Sequence, residues 1–286
     1  MKVLIIGGDG MAGHVIKNYF TSKGHQQIFW TTRRNNKNSS NSLYLDVRDL
    51  KKVEQVLNLV KPHIVINAVG ILNDIADKNI YDSIFINSLF PHKLSEYSNI
   101  YNFYLIHIST DCVFSGKLGD YSENSEKTGS SVYAQTKSLG EVTNNNNLTI
   151  RTSIIGPELK EDGIGLFHWF MKQKGKIEGY QNVFWNGITT LELAKVIYNL
   201  SFNQIKGLIH LTGEKKISKY ELLLLLKETF SKNDITILPS AKTYSDKSLI
   251  ITRKDFKYTL VNYSTMIKEL KDWMESRPHT YQQYLS

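Results

Sequence analysis

An α/β fold is predicted for this chain: a doubly wound parallel sheet carrying a smaller C-terminal α+β lobe. Three observations predict it. Short apolar strand patterns alternate with helical patterns from residue 1 to about residue 155. The first strand pattern runs straight into a glycine-rich loop. Beyond Pro157 the alternation gives way to two capping signals and scattered strands. A length of 286 residues allows one large lobe and one small one. The division expected is 1–155 for a nucleotide-binding lobe and 156–286 for a substrate-binding lobe, with parts of the second returning to the core of the first.

The glycine loop organises the first lobe. Met1–Ile6 reads as a short buried strand, followed by Gly7-Gly8-Asp9-Gly10-Met11-Ala12-Gly13. The run His14–Phe20 then reads as a helix. In a Rossmann-type unit Gly7 permits the tight turn, Gly10 lets the backbone approach a pyrophosphate, and Gly13 seats the helix on the sheet. The phosphates then lie at the helix N-terminus, with Met11 and Ala12 in its first turn. Ile28–Thr32 is the second strand, and Arg33-Arg34 ends it. No acidic residue occurs between Gln27 and Ser42. An acid there would hold a ribose 2′-hydroxyl, whereas an arginine suits a 2′-phosphate. Arg33 therefore favours NADP(H), with NAD(H) the alternative.

The remaining elements of this lobe follow in order. Leu43-Tyr44-Leu45 is a third strand, followed by Asp46-Val47. Leu50, Val53, Val56, Leu57 and Val60 share a helix face that Pro62 ends. His63–Gly70 is a strand opening into a turn of small residues, Ala68, Val69 and Gly70. Ile84 through Tyr97 is helical, with Asn87 expected on its solvated side and Pro91 a local complication. Phe103–Ile108 is a strand ending at Ser109-Thr110-Asp111. A polar loop runs from Ser115 to Ser131. Asn144–Asn147 reads as a surface turn before the strand Leu148–Arg151.

Beyond the loop, Tyr133 and Lys137 stand four residues apart on one predicted helix, so they share a face. A phenol titrates near ~10 and is a sluggish acid by itself. A neighbouring Lys137 ammonium is expected to lower that value. Tyr133 would then protonate a carbonyl oxygen while a nicotinamide delivers hydride to its carbon. The Thr110 hydroxyl would polarise the same oxygen. In the second lobe Gly163–Met171 opens a helix. Thr189-x-x-Glu192 and Ser218-x-x-Glu221 fit capping boxes. Gly207–Leu211 reads as one more strand.

Composition narrows the function class. Hydrophobic residues make up 41% and charged residues 22%, a globular balance. A net charge of +8 favours anionic ligands, but the lysines form no stripe and no nucleic-acid motif. Cys112 is the only cysteine, which excludes an intramolecular disulfide and a cysteine zinc site. Its position at a strand end suits packing better than nucleophilic chemistry. His107, His168 and His210 lack metal-ligand spacing and read as packed or surface histidines, so no metal is expected. The apolar run after Lys2 stops at Gly7, too soon for a signal peptide, and no stretch approaches the ~18 apolar residues of a membrane helix. A cytoplasmic protein is the expectation.

Together these residues resemble the extended short-chain dehydrogenase/reductases, and within them the dTDP-4-dehydrorhamnose reductase group. The matching elements are Gly7–Gly13, Asp46-Val47, Asn67–Gly70 and Ile108–Gly116, then Tyr121-x-Glu123, Tyr133–Lys137, Gly140-Glu141 and Arg151-Thr152-Ser153. The resemblance implies that Thr110, Tyr133 and Lys137 are catalytic. It implies that Asp46-Val47 flank the adenine and that Ala68, Val69 and Gly70 line the cofactor. Lys137 would also hold the nicotinamide ribose, and Thr110 and Asp111 would touch the sugar. The partner implied is a nucleotide-diphosphate sugar. The group is often dimeric, so a homodimer is the assembly to look for.

Two departures stand out. Ile154-Ile155-Gly156-Pro157-Glu158 follows Arg-Thr-Ser where the rhamnose enzymes tend to carry an aromatic residue. Their late Arg-Pro element for the substrate phosphates is not recognisable, which leaves Lys247 or Arg253 to substitute. Gly179–Glu192 resembles a related branch that reduces UDP-linked 2-acetamido-2,6-dideoxy 4-keto sugars for surface polysaccharides. The reading is thus an NADPH-dependent 4-keto reductase of a nucleotide-linked 6-deoxy sugar. The alternatives are an epimerase or dehydratase that retains NAD, and a cofactor-binding regulatory subunit resembling that of methionine adenosyltransferase.

Overall fold

The computed structural model describes residues 1–34, 40–144, 146–259 and 261–285. Residues 35–39 of the polar loop expected after Arg34 lie outside them. In chain order the first elements are β1 (Val3–Ile6), α1 (Met11–Ser22), β2 (Ile28–Thr32), β3 (Ser42–Tyr44), α2 (Leu50–Val60) and β4 (Ile64–Asn67). Then come α3 (Asn73–Lys78), α4 (Ile80–Ser83), a π-helical turn (Ile84–Leu89), α5 (Phe90–Tyr101), β5 (Tyr104–Thr110), α6 (Val132–Leu139) and β6 (Asn147–Thr152). The later elements are β7 (Ile154–Ile155), α7 (Leu166–Lys172), β8 (Gly175–Tyr180), β9 (Val183–Trp185), β10 (Ile188–Thr189), α8 (Thr190–Leu200) and β11 (Gly207–His210). The chain finishes with β12 (Ile217–Ser218), α9 (Lys219–Thr229), β13 (Ile235–Ser240), β14 (Ser245–Asp246), α10 (Tyr263–Glu275) and α11 (Pro278–Leu285).

Two compact units divide these elements. One holds Met1–Phe114, Glu126–Arg151 and Ala194–Ile209; the other holds Ser115–Ser125, Thr152–Leu193 and His210–Ser286. The first is built on a seven-stranded parallel sheet in the order β3-β2-β1-β4-β5-β6-β11. The order reverses on either side of β1, which makes the carboxyl ends of β1 and β4 a switch point where such sheets take ligands. The strand read at Gly207–Leu211 is the sheet's far edge, beside β6.

Strand alternation sorts the core. Leu4 and Ile6 of β1 join Val65, Leu105, Val53, Leu57, Phe90 and Leu94 in a cluster under α2 and α5. On the opposite side Phe20 of α1 meets Tyr198 of α8, ring centroids 5.1 Å apart. Asp49 caps α2 by accepting from the Lys52 N–H at 3.1 Å, and Lys61 closes it in the left-handed region just before Pro62.

Two expectations are corrected in this unit. Asn87 is fully buried, not solvated. The π-helical turn adds a residue to its stretch and rotates the side chain inward, where the amide donates to the Ile71 carbonyl and the Thr136 hydroxyl and accepts from the Ile71 N–H. Pro91 follows at the start of α5, where its missing N–H costs little. Asn147 is likewise fully buried, at the start of β6 rather than in a surface turn. Its amide donates to the Ser95 hydroxyl and the Asn144 carbonyl, and its oxygen accepts from Ser98.

The second unit consists of small sheets and helices. β8 pairs with β13 in parallel, β7 with β10 in parallel, and β12-β9-β14 form a three-stranded sheet. The Ser218/Glu221 capping box closes from both sides at the start of α9. At α8 the Thr189 hydroxyl accepts from the Glu192 N–H at 3.1 Å, while the Glu192 carboxylate accepts from the Tyr258 hydroxyl at 3.0 Å. The polar segment after Gly116 is anchored rather than loose. Tyr121 exchanges backbone hydrogen bonds with Ser248 and Ile250, and Lys216 bridges the Asp120 and Asp246 carboxylates.

Candidate functional site

The glycine loop sits at the switch point. Gly7 has φ +89°, open to glycine without strain. A Cβ on Gly13 would stand 2.1 Å from the Gly7 carbonyl oxygen, so α1 reaches the loop only because Gly13 has no side chain. Gly10 caps α1 with no side-chain hydrogen bond, which leaves the N–H groups of the first turn to a ligand. Ala68 and Val69, after β4, lie against Gly7, and Gly70 lies beside the Asn87 amide. The structure thus brings Gly7, Gly10, Met11, Ala12, Gly13, Ala68, Val69 and Gly70 together. Backbone N–H groups at a helix N-terminus reached through glycine fit a dinucleotide pyrophosphate.

The end of β2 differs from its sequence reading in one respect. Arg33 and Arg34 are exposed there. An acid nevertheless reaches this place: the Thr32 hydroxyl donates to the carboxylate of Asp9, which comes from the glycine loop. Sequence reasoning missed Asp9 because it searched for an acid along β2. Its position between Gly8 and Gly10, on a loop facing β2, was the available signal. Asp46 is held by Arg48, whose Nε lies 3.0 Å from Oδ1 and which also reaches Asp82 at 2.9 Å. Hydrogen bonding by Arg48 is the main cause that holds the Asp46 carboxyl below its usual range. Val47 is buried in the core cluster, so only its backbone is left for an adenine.

At the carboxyl end of β5, Thr110 is buried and turns the chain. Its hydroxyl donates to Asp111 Oδ1 and accepts from the Cys112 N–H, both at 3.1 Å. It also lies beside the Tyr133 phenol. Ser131 caps α6 by accepting from the Ala134 N–H, and Tyr133 and Lys137 follow on one face, as their spacing implies. Gly140 ends α6 against the π-helical turn, where a Cβ would stand 1.8 Å from the Asn87 carbonyl oxygen.

The expected effect of Lys137 on Tyr133 is corrected. The phenol is pushed up, chiefly by burial and secondly by Cys112, with the Thr110 hydroxyl opposing. Lys137 does not reach it. Its ammonium is buried and donates to the Ile108 carbonyl at 2.7 Å, and burial lowers its pKa to about 8. Behind it lie residues to which the sequence reading gave no part in the site. His107, fully buried, places Nε2 3.3 Å from Lys137 Nζ and Nδ1 3.1 Å from the Asn67 amide. The Glu141 carboxylate accepts from Arg151 at 2.7 and 2.8 Å and from the Ser109 hydroxyl at 2.8 Å. Lys127 reaches the same carboxylate at 3.3 Å. Arg151 and Glu141 were visible in the sequence as motif residues, without a partner.

In the second unit, Lys247 is half-buried. The Arg253 guanidinium is engaged along its Nε–Nη2 edge by the Asp255 carboxylate, Nε to Oδ1 2.7 Å. Glu123, the acid of Tyr121-x-Glu123, ties chain segments together. It accepts from the His210 N–H at 3.1 Å and from the Thr252 N–H at 3.1 Å. His168 and His210 are both buried. Among the described residues no group of histidine, cysteine and carboxylate side chains is placed to hold a metal, and no helix is long and apolar enough to cross a membrane.

The chain is similar to several known proteins. The spore coat polysaccharide biosynthesis protein SpsK of Bacillus subtilis is 22% identical over 253 residues, covering 86% of each chain. The methionine adenosyltransferase 2 subunit beta of Xenopus tropicalis is 22% identical over 246 residues, covering 80% of this chain and 72% of that one. Among solved structures, a dTDP-4-dehydrorhamnose reductase from Clostridium acetobutylicum superposes with a TM-score of 0.80 at 22% identity, over 96% of this chain and 100% of that chain. A dTDP-4-dehydrorhamnose reductase from Bacillus anthracis, in complex with NADP, gives 0.78 at 19% identity, over 96% and 99%. The enzyme WbmG of Bordetella bronchiseptica, in complex with NAD and UDP, gives 0.75 at 15% identity, over 96% and 95%. The RmlD substrate binding domain family matches residues 1–249. Spanning the glycine cradle, the Thr110–Tyr133–Lys137 cluster and most of the second unit, that match establishes that the chain belongs to the RmlD substrate binding domain family.

Proposed function

We propose that this chain is an NADPH-dependent reductase of the 4-keto group of a nucleotide-linked 6-deoxy sugar. The observation that carries the reading is the juxtaposition of Thr110 and Tyr133 at the end of β5, with Lys137 buried one helical turn on. A protonated phenol beside a hydroxyl is what a carbonyl oxygen needs as it gains negative charge. When bound, the nicotinamide supplies the hydride for the sugar carbon. Tyr133 gives its phenolic proton to the oxygen, and Thr110 orients that oxygen. Lys137 carries positive charge next to the site. Gly7, Gly10 and Gly13 would hold the diphosphate of the cofactor. Asp111, Lys247 and Arg253 are the residues proposed for the nucleotide sugar.

The test is NADPH oxidation with freshly prepared dTDP- and UDP-linked 4-keto-6-deoxy sugars. Turnover of the UDP N-acetyl sugar would assign the amino-sugar branch, which the Gly179–Glu192 segment supports. Turnover of the dTDP sugar would assign the rhamnose branch. The similarity to SpsK supports a role in surface polysaccharide synthesis, in the cytoplasm, where nucleotide sugars are made. For the cofactor, Arg33→Ala should raise the Kd for NADPH by about tenfold, the loss of one charge-assisted contact, and leave that for NADH nearly unchanged. Fluorescence titration with both nucleotides checks this; equal weakening of both would remove Arg33 from the 2′-phosphate. A second reading is favoured by the similarity to methionine adenosyltransferase 2 subunit beta: a regulatory subunit that binds cofactor without chemistry. Firm NADPH binding without reduction of either sugar would bring it forward.

A further inference from the structure

We propose that His107 is the positioning residue for Lys137: its neutral imidazole accepts a hydrogen bond at Nε2 from the Lys137 ammonium and thereby aims that side chain's remaining N–H. The inference rests on the reading of Lys137 as part of the reductase site and deepens it. Its basis is geometric. β5 pairs with β4 so that His107 stands across from Asn67. The ring is fully buried between the Asn67 amide at 3.1 Å and Lys137 Nζ at 3.3 Å. Ile108, the next residue on β5, presents its carbonyl to the same Nζ at 2.7 Å. An ammonium has three N–H groups. Two are taken by consecutive residues of one rigid strand, so the direction of the third is set by the sheet and not by solvent.

The protonation states follow from the hydrogen bond with Lys137. A charged imidazole beside an ammonium in a buried place is doubly unfavourable, and burial followed by Lys137 holds His107 well below its usual value. With Nε2 accepting, the ring proton sits on Nδ1, facing Asn67. The two ends of that amide are alike in shape. The Asn67 Nδ2 faces Nδ1 and its oxygen faces the Val69 N–H; turning the amide over brings the oxygen to the Nδ1 proton and gives up that 3.4 Å contact. The charged and titratable groups around this pair are few. Glu141, beyond the end of α6, favours the Lys137 ammonium; His92, on α5, disfavours charge on His107; Tyr133 lies one turn back on α6. Losing the imidazole acceptor would therefore weaken the ammonium form of Lys137 and leave Glu141 in place.

Two readouts test the proposal in the full-length protein. Imidazole nitrogen NMR, assigned with His107→Gln, should show Nε2 unprotonated between about pH 6 and pH 8, and should show that resonance move in Lys137→Met. A protonated Nε2 in this range, or no response to Lys137→Met, overturns it, whatever the enzyme reduces. The pH profile of keto-sugar reduction is the second. In His107→Leu the alkaline limb should move to lower pH by roughly one unit, a tenfold weakening of the ammonium form, and His107→Gln, which offers an amide oxygen, should restore much of it. An unmoved limb in a folded His107→Leu protein also overturns the proposal. If the wild type reduces no keto sugar, the functional reading fails while the NMR result still decides His107.

Discussion

Tyr133→Phe should lower the rate of keto-sugar reduction by about 10²- to 10⁴-fold, the usual contribution of a positioned general acid, with NADPH affinity close to wild type. The substitution removes one oxygen from a ring that stays in place, since α6 is capped by Ser131 and seated by Gly140. Single-turnover NADPH oxidation reads the chemical step, and fluorescence titration reads binding. Near wild-type turnover would remove Tyr133 as the acid; an equal loss in binding would make it a cofactor contact only. The pH dependence adds a check. Burial pushes the Tyr133 phenol up, so it remains protonated throughout the neutral range. An alkaline limb near pH 8 would therefore report Lys137, whose pKa is lowered to about 8, losing its proton.

The second large effect concerns stability. Glu141→Gln should destabilise the protein by about 3–5 kcal/mol, because it leaves a buried guanidinium without its counter-charge. The side chains of Arg151 and Glu141 are 4% and 3% exposed, and their carboxylate also takes the Ser109 and Lys127 donors. Urea unfolding measures the loss. Glu141→Leu with Arg151→Met should recover much of it, since two apolar groups in the same place carry no unpaired charge. A single-variant loss within ~0.5 kcal/mol, the range of an ordinary surface change, would show the pair to be energetically idle. The pH sign follows from the depressed Glu141 carboxyl: burial, the largest single effect, raises it, and Arg151, Lys127 and Ser109 together outweigh burial. Its stabilisation is complete above the ordinary glutamate value of 4.5 and is lost as pH falls through the lower folded value.

Six strands of the sheet were legible because their features are local, whereas the seventh, Gly207–His210, was read as part of the second lobe and joins β6 only in the fold. Val3–Ile6, Ile64–Asn67 and Tyr104–Thr110 are buried apolar runs that need no distant partner to be recognised. Gly7, Gly10 and Gly13 declare a backbone that must approach something closely, and the four-residue spacing of Tyr133 and Lys137 shows which face they share. What a residue meets across the fold is not local. Asn87 and Asn147 look like polar surface residues, yet both are buried because Ile71 and Thr136, or Ser95 and Ser98, supply the hydrogen bonds that burial demands. Asp9 reaches Thr32 only because the glycine loop folds back on β2.

The same division runs through the candidate site. The sequence by itself determined the fold class, the glycine turn between β1 and α1 and the shared face of Tyr133 and Lys137, since backbone propensity, glycine and helical period act within a few residues. Only the tertiary structure decided the charge environment. It turned the Lys137 ammonium toward Ile108 and His107 and raised the Tyr133 phenol. It also joined Glu141 to Arg151 and closed Arg253 onto Asp255. Desolvation and hydrogen-bond geometry set those properties, and both depend on which strands and helices pack together in space.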